Sequence, residues 1–184
     1  MRIMRRVRAV CAALMALCLI SAPLCAQADL TARFIDVGQG DSCLITCDGE
    51  SMIVDGGTAD NSSKLVALMK ALDVDELKYM VNTHPHDDHV GGLCGPLNSV
   101  KVDAAYSSTL DYDQNYFISY KRYAQKQGVS LGTLSAGDTL KLGGADVYVL
   151  APIGDTADIS DLNDTSIILR VVYGRTSMLL TGDA

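Results

Sequence analysis

All three histidines of this 184-residue chain fall within His84-Pro85-His86-Asp87-Asp88-His89, directly after an apolar run from Leu77 to Asn82. This juxtaposition constrains the fold more than any other feature. A buried strand has to deliver the cluster, and the Gly91-Gly92 pair behind it marks backbone that passes close to another segment. Imidazole nitrogens and carboxylates are the ligand set of zinc and similar divalent ions. In extended backbone His84, His86 and Asp88 point to one side, and a turn at Asp88 brings His89 round beside them. The competing reading is a histidine-rich polar surface loop. The position of the cluster between a strand and a glycine pair favours metal binding.

The first residues are read apart from the fold. Arg2, Arg5, Arg6 and Arg8 make a basic start, Ala9 to Ala22 is apolar, and Ala26-Gln27-Ala28 is a small-x-small cleavage site. Residues 1–28 are therefore expected to be a signal peptide, and the mature protein to be secreted or held at the cell surface. The apolar run is shorter than the ~20 residues of a spanning helix, which weighs against an uncleaved anchor. Leu24 is bulky for the position before a lipid-modified Cys25. Residues 29–184 then form one domain with enough chain for a core. The net charge is −7, and removal of the four leader arginines makes the exported part more acidic still. Such a surface repels phosphate backbones, so no stable nucleic-acid binding is expected. A metal-centred site can still act on a phosphodiester, because the cations supply a local positive field. Of the six cysteines, Cys43, Cys47 and Cys94 remain after the leader. Their number is odd and their spacing is not that of a zinc finger, so they read as packing residues. Cys43 and Cys47 fall on one face of a strand, too far apart to bridge, and any bridge through Cys94 is non-essential.

Along the chain, Leu30 to Val37, Ser42 to Thr46 and Ser51 to Val54 read as strands, the last two joined at Asp48-Gly49. Asp60-Asn61-Ser62-Ser63 offers helix caps, and Leu65, Leu68, Met69 and Leu72 recur at helical spacing. Leu77 to Asn82 and Val100 to Ala105 are strands. Gln114 to Gln127 is a helix ended by Gly128, with Phe117, Ile118, Tyr120 and Ala124 on its apolar side. Thr139 to Leu142, Ala145 to Leu150, Ser166 to Val172 and Ser177 to Leu180 are further strands, the first pair joined by Gly143-Gly144. Strands mixed with helices indicate an α/β layered domain. The chain stops at Thr181-Gly182-Asp183-Ala184, directly after an apolar strand, and the fold is expected to be incomplete at the C-terminus.

The H-x-H-x-D-H run resembles the signature of the metallo-β-lactamase superfamily. Phe34-Ile35-Asp36-Val37-Gly38-Gln39-Gly40-Asp41-Ser42 is similar to the opening strand and loop of the hydrolase domain of ComEC-type competence proteins. Val54-Asp55-Gly56-Gly57 resembles the next strand end, Asn163-Asp164-Thr165-Ser166-Ile167 a segment of the competence branch, and Leu179-Leu180-Thr181-Gly182-Asp183 the strand that delivers a bridging aspartate. The resemblance implies a four-layer αββα sandwich with two divalent metals at one edge, zinc first and manganese as the alternative. It implies that His84 and His86 bind one metal, that Asp88 and His89 bind the other, and that Asp183 bridges them. Asp88 is then also the catalytic residue that orients the nucleophile or takes its proton, and Asp55 orients a ligand from behind by hydrogen bonding. Read by itself, Asp55 has the lesser alternative of a turn residue before Gly56-Gly57, and Asn163-Asp164 is equally a turn before a strand. Two departures matter. No histidine lies between the cluster and Asp183, where Asn163 or Asp164 takes the neighbourhood, and the family's final histidine has no counterpart. Weak metal binding or inactivity is an expected consequence.

Gly38-Gln39-Gly40-Asp41 lacks the lysine and serine or threonine of a nucleotide-binding loop and reads as architecture that can face a substrate. Tyr112, Tyr116, Tyr120 and Tyr123 read as packing rather than a base-stacking platform. The expected reaction is hydrolysis by a metal-activated water. A phosphodiester, such as extracellular DNA or a phosphorylcholine ester, is the first substrate class, by analogy with the competence branch. The alternatives are a lactam, lactone or thioester, and a non-catalytic exported metal-binding domain.

Overall fold

The computed structural model describes residues 29–154, 156 and 159–184, so the expected signal peptide lies outside the described residues. Two sheets stack face to face. The first has the order β1 (Leu30–Phe34), β2 (Cys43–Cys47), β3 (Glu50–Val54), β4 (Glu76–Asn82), β5 (Lys101–Ser107) and β6 (Leu131–Thr133). Strands β1 to β3 pair antiparallel, and β3 to β6 pair parallel. The second sheet is wholly antiparallel, in the order β10 (Thr176–Leu180), β9 (Ile168–Tyr173), β8 (Ala145–Ala151), β7 (Thr139–Leu142).

The first sheet is buried on both faces, which is why its central strands read as near-continuous apolar runs. On one face Leu44, Ile53, Met80 and Ala105 pack against helices α1 (Ser62–Ala71), α3 (Cys94–Ser99) and α4 (Asn115–Gln127), through Leu65, Met69, Leu97, Phe117, Tyr120 and Ala124. On the other, Cys43, Ile45, Cys47, Met52, Val54 and Val81 meet Leu142, Val147, Val149, Leu169 and Val171 of the second sheet. Each fully buried Val, Leu, Ile, Met or Phe among them contributes about 1.5–3 kcal/mol of transfer free energy. The described residues thus form three layers, helix on sheet on sheet. The second sheet's outer face exposes Tyr148, Leu150 and Leu179, and a covering helical layer is not among the described residues.

Local detail departs from the pattern reading in four places. Ile118 is exposed, because α4 buries only the Phe117, Tyr120, Ala124 stripe. Asn61 does not cap α1 with its side chain; its amide donates instead to Val37 O and Thr58 Oγ1. Helix α3 was hidden by Gly95 and Pro96, residues of low helix propensity held here by packing. Strand β6, three residues with Gly132 at its centre, is too short to show alternation. Cys43 and Cys47 are buried on one face, Cys94 is half-buried, and all three are free thiols. No helix among the described residues is long and apolar enough to cross a membrane.

Candidate metal centre

Parallel strands β3, β4 and β5 end side by side, and their carboxyl ends carry Asp55, Asn82-Thr83-His84 and Ser107. This is where an α/β sheet opens a crevice. Asn82 ties the three ends together. Its amide nitrogen donates to His84 O at 2.6 Å and Asp55 Oδ1 at 3.3 Å, and its oxygen accepts from Ser107 Oγ at 3.0 Å.

After β4 the chain bends at residues 83–85, is extended at His86 (φ −70, ψ 150) and then enters a helical turn, α2 (Asp87–Val90). His84 and His86 stand side by side, with ring centroids 4.8 Å apart. The helical turn brings His89 round to His84, with ring centroids 4.1 Å apart, as the expected turn required. Two glycine pairs make this possible. Gly56 N donates to His89 O and Gly92 N to Gly57 O, and a Cβ on Gly92 would lie 2.0 Å from Gly56 O.

Asp55 is buried at positive φ (56°), a conformation that aspartate tolerates when its side chain bonds locally. Its carboxylate accepts from Thr83 N at 2.7 Å, Thr83 Oγ1 at 2.6 Å and His89 Nδ1 at 2.9 Å. Burial pushes this carboxyl up, and the His89 and Thr83 donors pull against that rise. Burial in turn pulls the His89 ring down, but the Asp55 hydrogen bond and the charges of Asp55, Asp183 and Asp88 outweigh it and leave the ring raised. Thr83 N, Thr83 Oγ1 and Asn82 Nδ2 all donate to Asp55, so it is held as a carboxylate and His89 Nδ1 faces it with a proton.

With Nδ1 committed to Asp55, Nε2 is the His89 atom left to offer a lone pair to an ion in the crevice. It is buried with no hydrogen-bond partner, although Asp183 Oδ1 lies 3.3 Å away. Ligand atoms of His84, His89 and Asp183 all lie within 4.8 Å of one another. His86 Nδ1 stands 3.0 Å from His84 Nε2. Neighbouring nitrogen or oxygen ligands of a tetrahedral zinc are separated by roughly 3.3 Å, so these spacings suit a divalent ion. Burial, and then the His89 and His86 rings, push the His84 imidazole down to about 3, which keeps it neutral as a ligand must be. His84 Nδ1 is met by Thr83 Oγ1 at 3.1 Å and Ser166 Oγ at 3.4 Å. The orphaned His89 nitrogen and the donor set therefore fit a metal.

Asp88 lies beside this cluster, half-buried, with Oδ2 accepting from Gln39 Nε2 at 2.9 Å. Partial burial works to raise its carboxyl, but the Gln39 amide and the His89 and His86 rings outweigh it and hold the group below its usual range. Asn163 starts a short 3-10 turn in which Asp164 is exposed and Thr165 buried, and the buried Ser166 just after it is the one that reaches His84. Sequence reasoning missed Asn82, Thr83, Ser107 and Ser166, and brought the Gly38–Asp41 loop to the site without a role for Gln39. The only signal for the first two was polarity at the end of an apolar strand.

Fold and site together define an α/β protein with a histidine–carboxylate metal centre at the strand ends. The profile described as "Metallo-beta-lactamase superfamily" matches residues 35–184, and the chain belongs to that superfamily. Among solved structures it is similar to a motif mutant of a metallo-β-lactamase from Cronobacter sakazakii, with 14% identity, TM-score 0.57, and 80% of this chain and 59% of that chain covered. It is also similar to the metallo-β-lactamase-fold protein YhfI of Bacillus subtilis, with 18% identity, TM-score 0.54, and 78% and 55% covered. A third is a subclass B3 metallo-β-lactamase from a soil metagenome library, with 14% identity, TM-score 0.54, and 83% and 58% covered. The chain thus spans less than two thirds of each of these structures. No curated protein sequence matches it.

Proposed function

We propose that this chain is an exported metal-dependent hydrolase that cleaves phosphodiesters. The observation that carries the metal centre is the buried His89 ring, fixed by Asp55 at Nδ1 and unpaired at Nε2 beside Asp183 and His84. His84 and His86 would hold one ion, Asp88 and His89 a second, and Asp183 would serve both. Bound divalent cations supply charge stabilisation at the phosphoryl oxygens and a water of lowered pKa. The chain's own residues do the rest. Asp55 keeps the His89 proton on Nδ1, so Nε2 stays a lone-pair donor. Asp88 remains a carboxylate whose Oδ2 is engaged by Gln39, and from its place beside the second ion it would orient the attacking water or accept its proton. The phosphodiester preference rests on the similarity of the 34–42 and 163–167 segments to the ComEC-type branch, and export rests on the leader of residues 1–28.

The test measures metal content and turnover of bis-p-nitrophenyl phosphate and nitrocefin. Bound metal with phosphodiester turnover that disappears in His86→Ala is expected. Nitrocefin turnover alone would assign the site to carboxylic bonds, and bound metal with neither turnover would make the chain a binding domain.

A further inference from the structure

We infer that Gln39 is the positioning residue for Asp88: its side-chain amide holds the Asp88 carboxylate in the attitude from which it serves the second metal. The inference rests on the two-metal reading above. Asp88 sits at the start of a single helical turn, and the cluster of His84, His89 and Asp183 does not fix its side chain. Its side-chain partner among the described residues is Gln39 Nε2 at 2.9 Å, reaching across 49 positions of sequence. One carboxylate oxygen is thereby held by a neutral donor, which is how carboxylate ligands are commonly oriented.

The loop that carries Gln39 is built onto Asp88 by its backbone as well. Gly40 has φ +85°, and a Cβ there would lie 1.8 Å from Asp88 O and 2.6 Å from its carbonyl carbon. The loop is anchored on both sides of Gln39. Gly38 N donates to Asp36 Oδ1 at 3.1 Å, Asn61 Nδ2 to Val37 O at 3.0 Å, Lys64 Nζ to Asp36 O, and Gly57 N to Asp41 O at 2.9 Å. An exposed side chain normally loses entropy when it is held to one partner. Here the fixed backbone already aims it, so less freedom is lost. The short, glycine-flanked loop is explained by this aim, whereas a phosphate cradle would need a lysine the loop does not contain.

The experiment titrates metal-free full-length protein with Co2+, reading visible absorption, and with Zn2+ against a chelator. Wild type is compared with Gln39→Met, which keeps length without the donor, and with Gln39→Glu, which puts a carboxylate against Asp88. Both variants should keep the wild-type melting temperature without metal, since Gln39 is exposed. The first metal equivalent should bind as in wild type. The second should weaken by about 10–100-fold, with an altered Co2+ spectrum. In an Asp88→Ala background Gln39→Met should cause no further loss, because the two residues act as one unit. Second-equivalent binding and spectrum unchanged in Gln39→Met would overturn the proposal while leaving the two-metal reading in place. A wild-type protein that takes up fewer than two equivalents would overturn that reading and this proposal with it.

Discussion

Replacing Asp55 with asparagine changes two atoms' chemistry and almost nothing of shape, and asparagine tolerates the positive φ of 56° found there. In the wild type Oδ1 accepts from Thr83 N at 2.7 Å and Asn82 Nδ2 at 3.3 Å, while Oδ2 accepts from Thr83 Oγ1 at 2.6 Å and His89 Nδ1 at 2.9 Å. With the amide oxygen kept at the Oδ1 position, its NH2 faces the Thr83 hydroxyl and His89 Nδ1. The hydroxyl can rotate and accept. His89 can accept only by moving its proton to Nε2, the atom aimed at Asp183, and that removes the lone pair a metal needs. The lost bond is charge-assisted, worth about 1.5–3 kcal/mol. Removing such a supporting partner typically costs 10–100-fold in metal affinity, which is about 1.4–2.8 kcal/mol. The two figures agree. In metal-free protein every group can find a new partner, so Asp55→Asn should lose less than about 2 kcal/mol of stability, whereas Asp55→Ala strands several buried donors at about 1–3 kcal/mol each. Zinc titration against a chelator and urea unfolding of both metal-free variants measure this. Wild-type zinc affinity in a folded Asp55→Asn protein, or equal stability of the two variants, would refute the reasoning.

Gly40→Ala places a Cβ 1.8 Å from Asp88 O at a positive φ, so a loss of about 1–3 kcal/mol is expected in urea unfolding, together with weaker second-metal binding. The hairpin ends of the two sheets are joined by Asp48, which accepts from Gly144 N at 2.9 Å, and Glu50, which accepts from Gly143 N at 2.5 Å and Lys78 Nζ at 2.6 Å. The Gly144 amide chiefly lowers the Asp48 carboxyl and the Gly143 amide chiefly lowers that of Glu50. A carboxyl depressed by folding stabilises above its unfolded pKa and stops doing so as pH falls through the folded one. Stability of metal-free protein should therefore decline below about pH 4, and less steeply in Asp48→Asn combined with Glu50→Gln. Thermal melts across pH 3 to 7 check this, and an unchanged slope in the double variant would contradict it.

The strands and long helices were legible because burial on one or both faces writes itself into local periodicity. Leu65, Met69, Phe117, Tyr120 and Ala124 sit where their spacing placed them, and the apolar run into Asn82 does deliver the histidines. The family was legible too, since motif spacing is a linear property and the superfamily match spans residues 35–184. The arrangement inside the cluster was not. The expected turn did bring His89 round to His84, but it starts at Asp87 as a helical turn, and Asp88 bonds Gln39 beside the cluster. That turn is held by backbone bonds between two glycine pairs more than thirty positions apart, a long-range contact that no window of sequence contains. Gln39 and Ser166 reach the centre for the same reason, by way of the loop before β2 and the turn before β9. The sequence by itself singled out His84, His89 and Asp183, which the fold brings within reach of one another. Tertiary structure alone decided which of their atoms face one another, because that depends on where separate strand ends and loops are brought together in space.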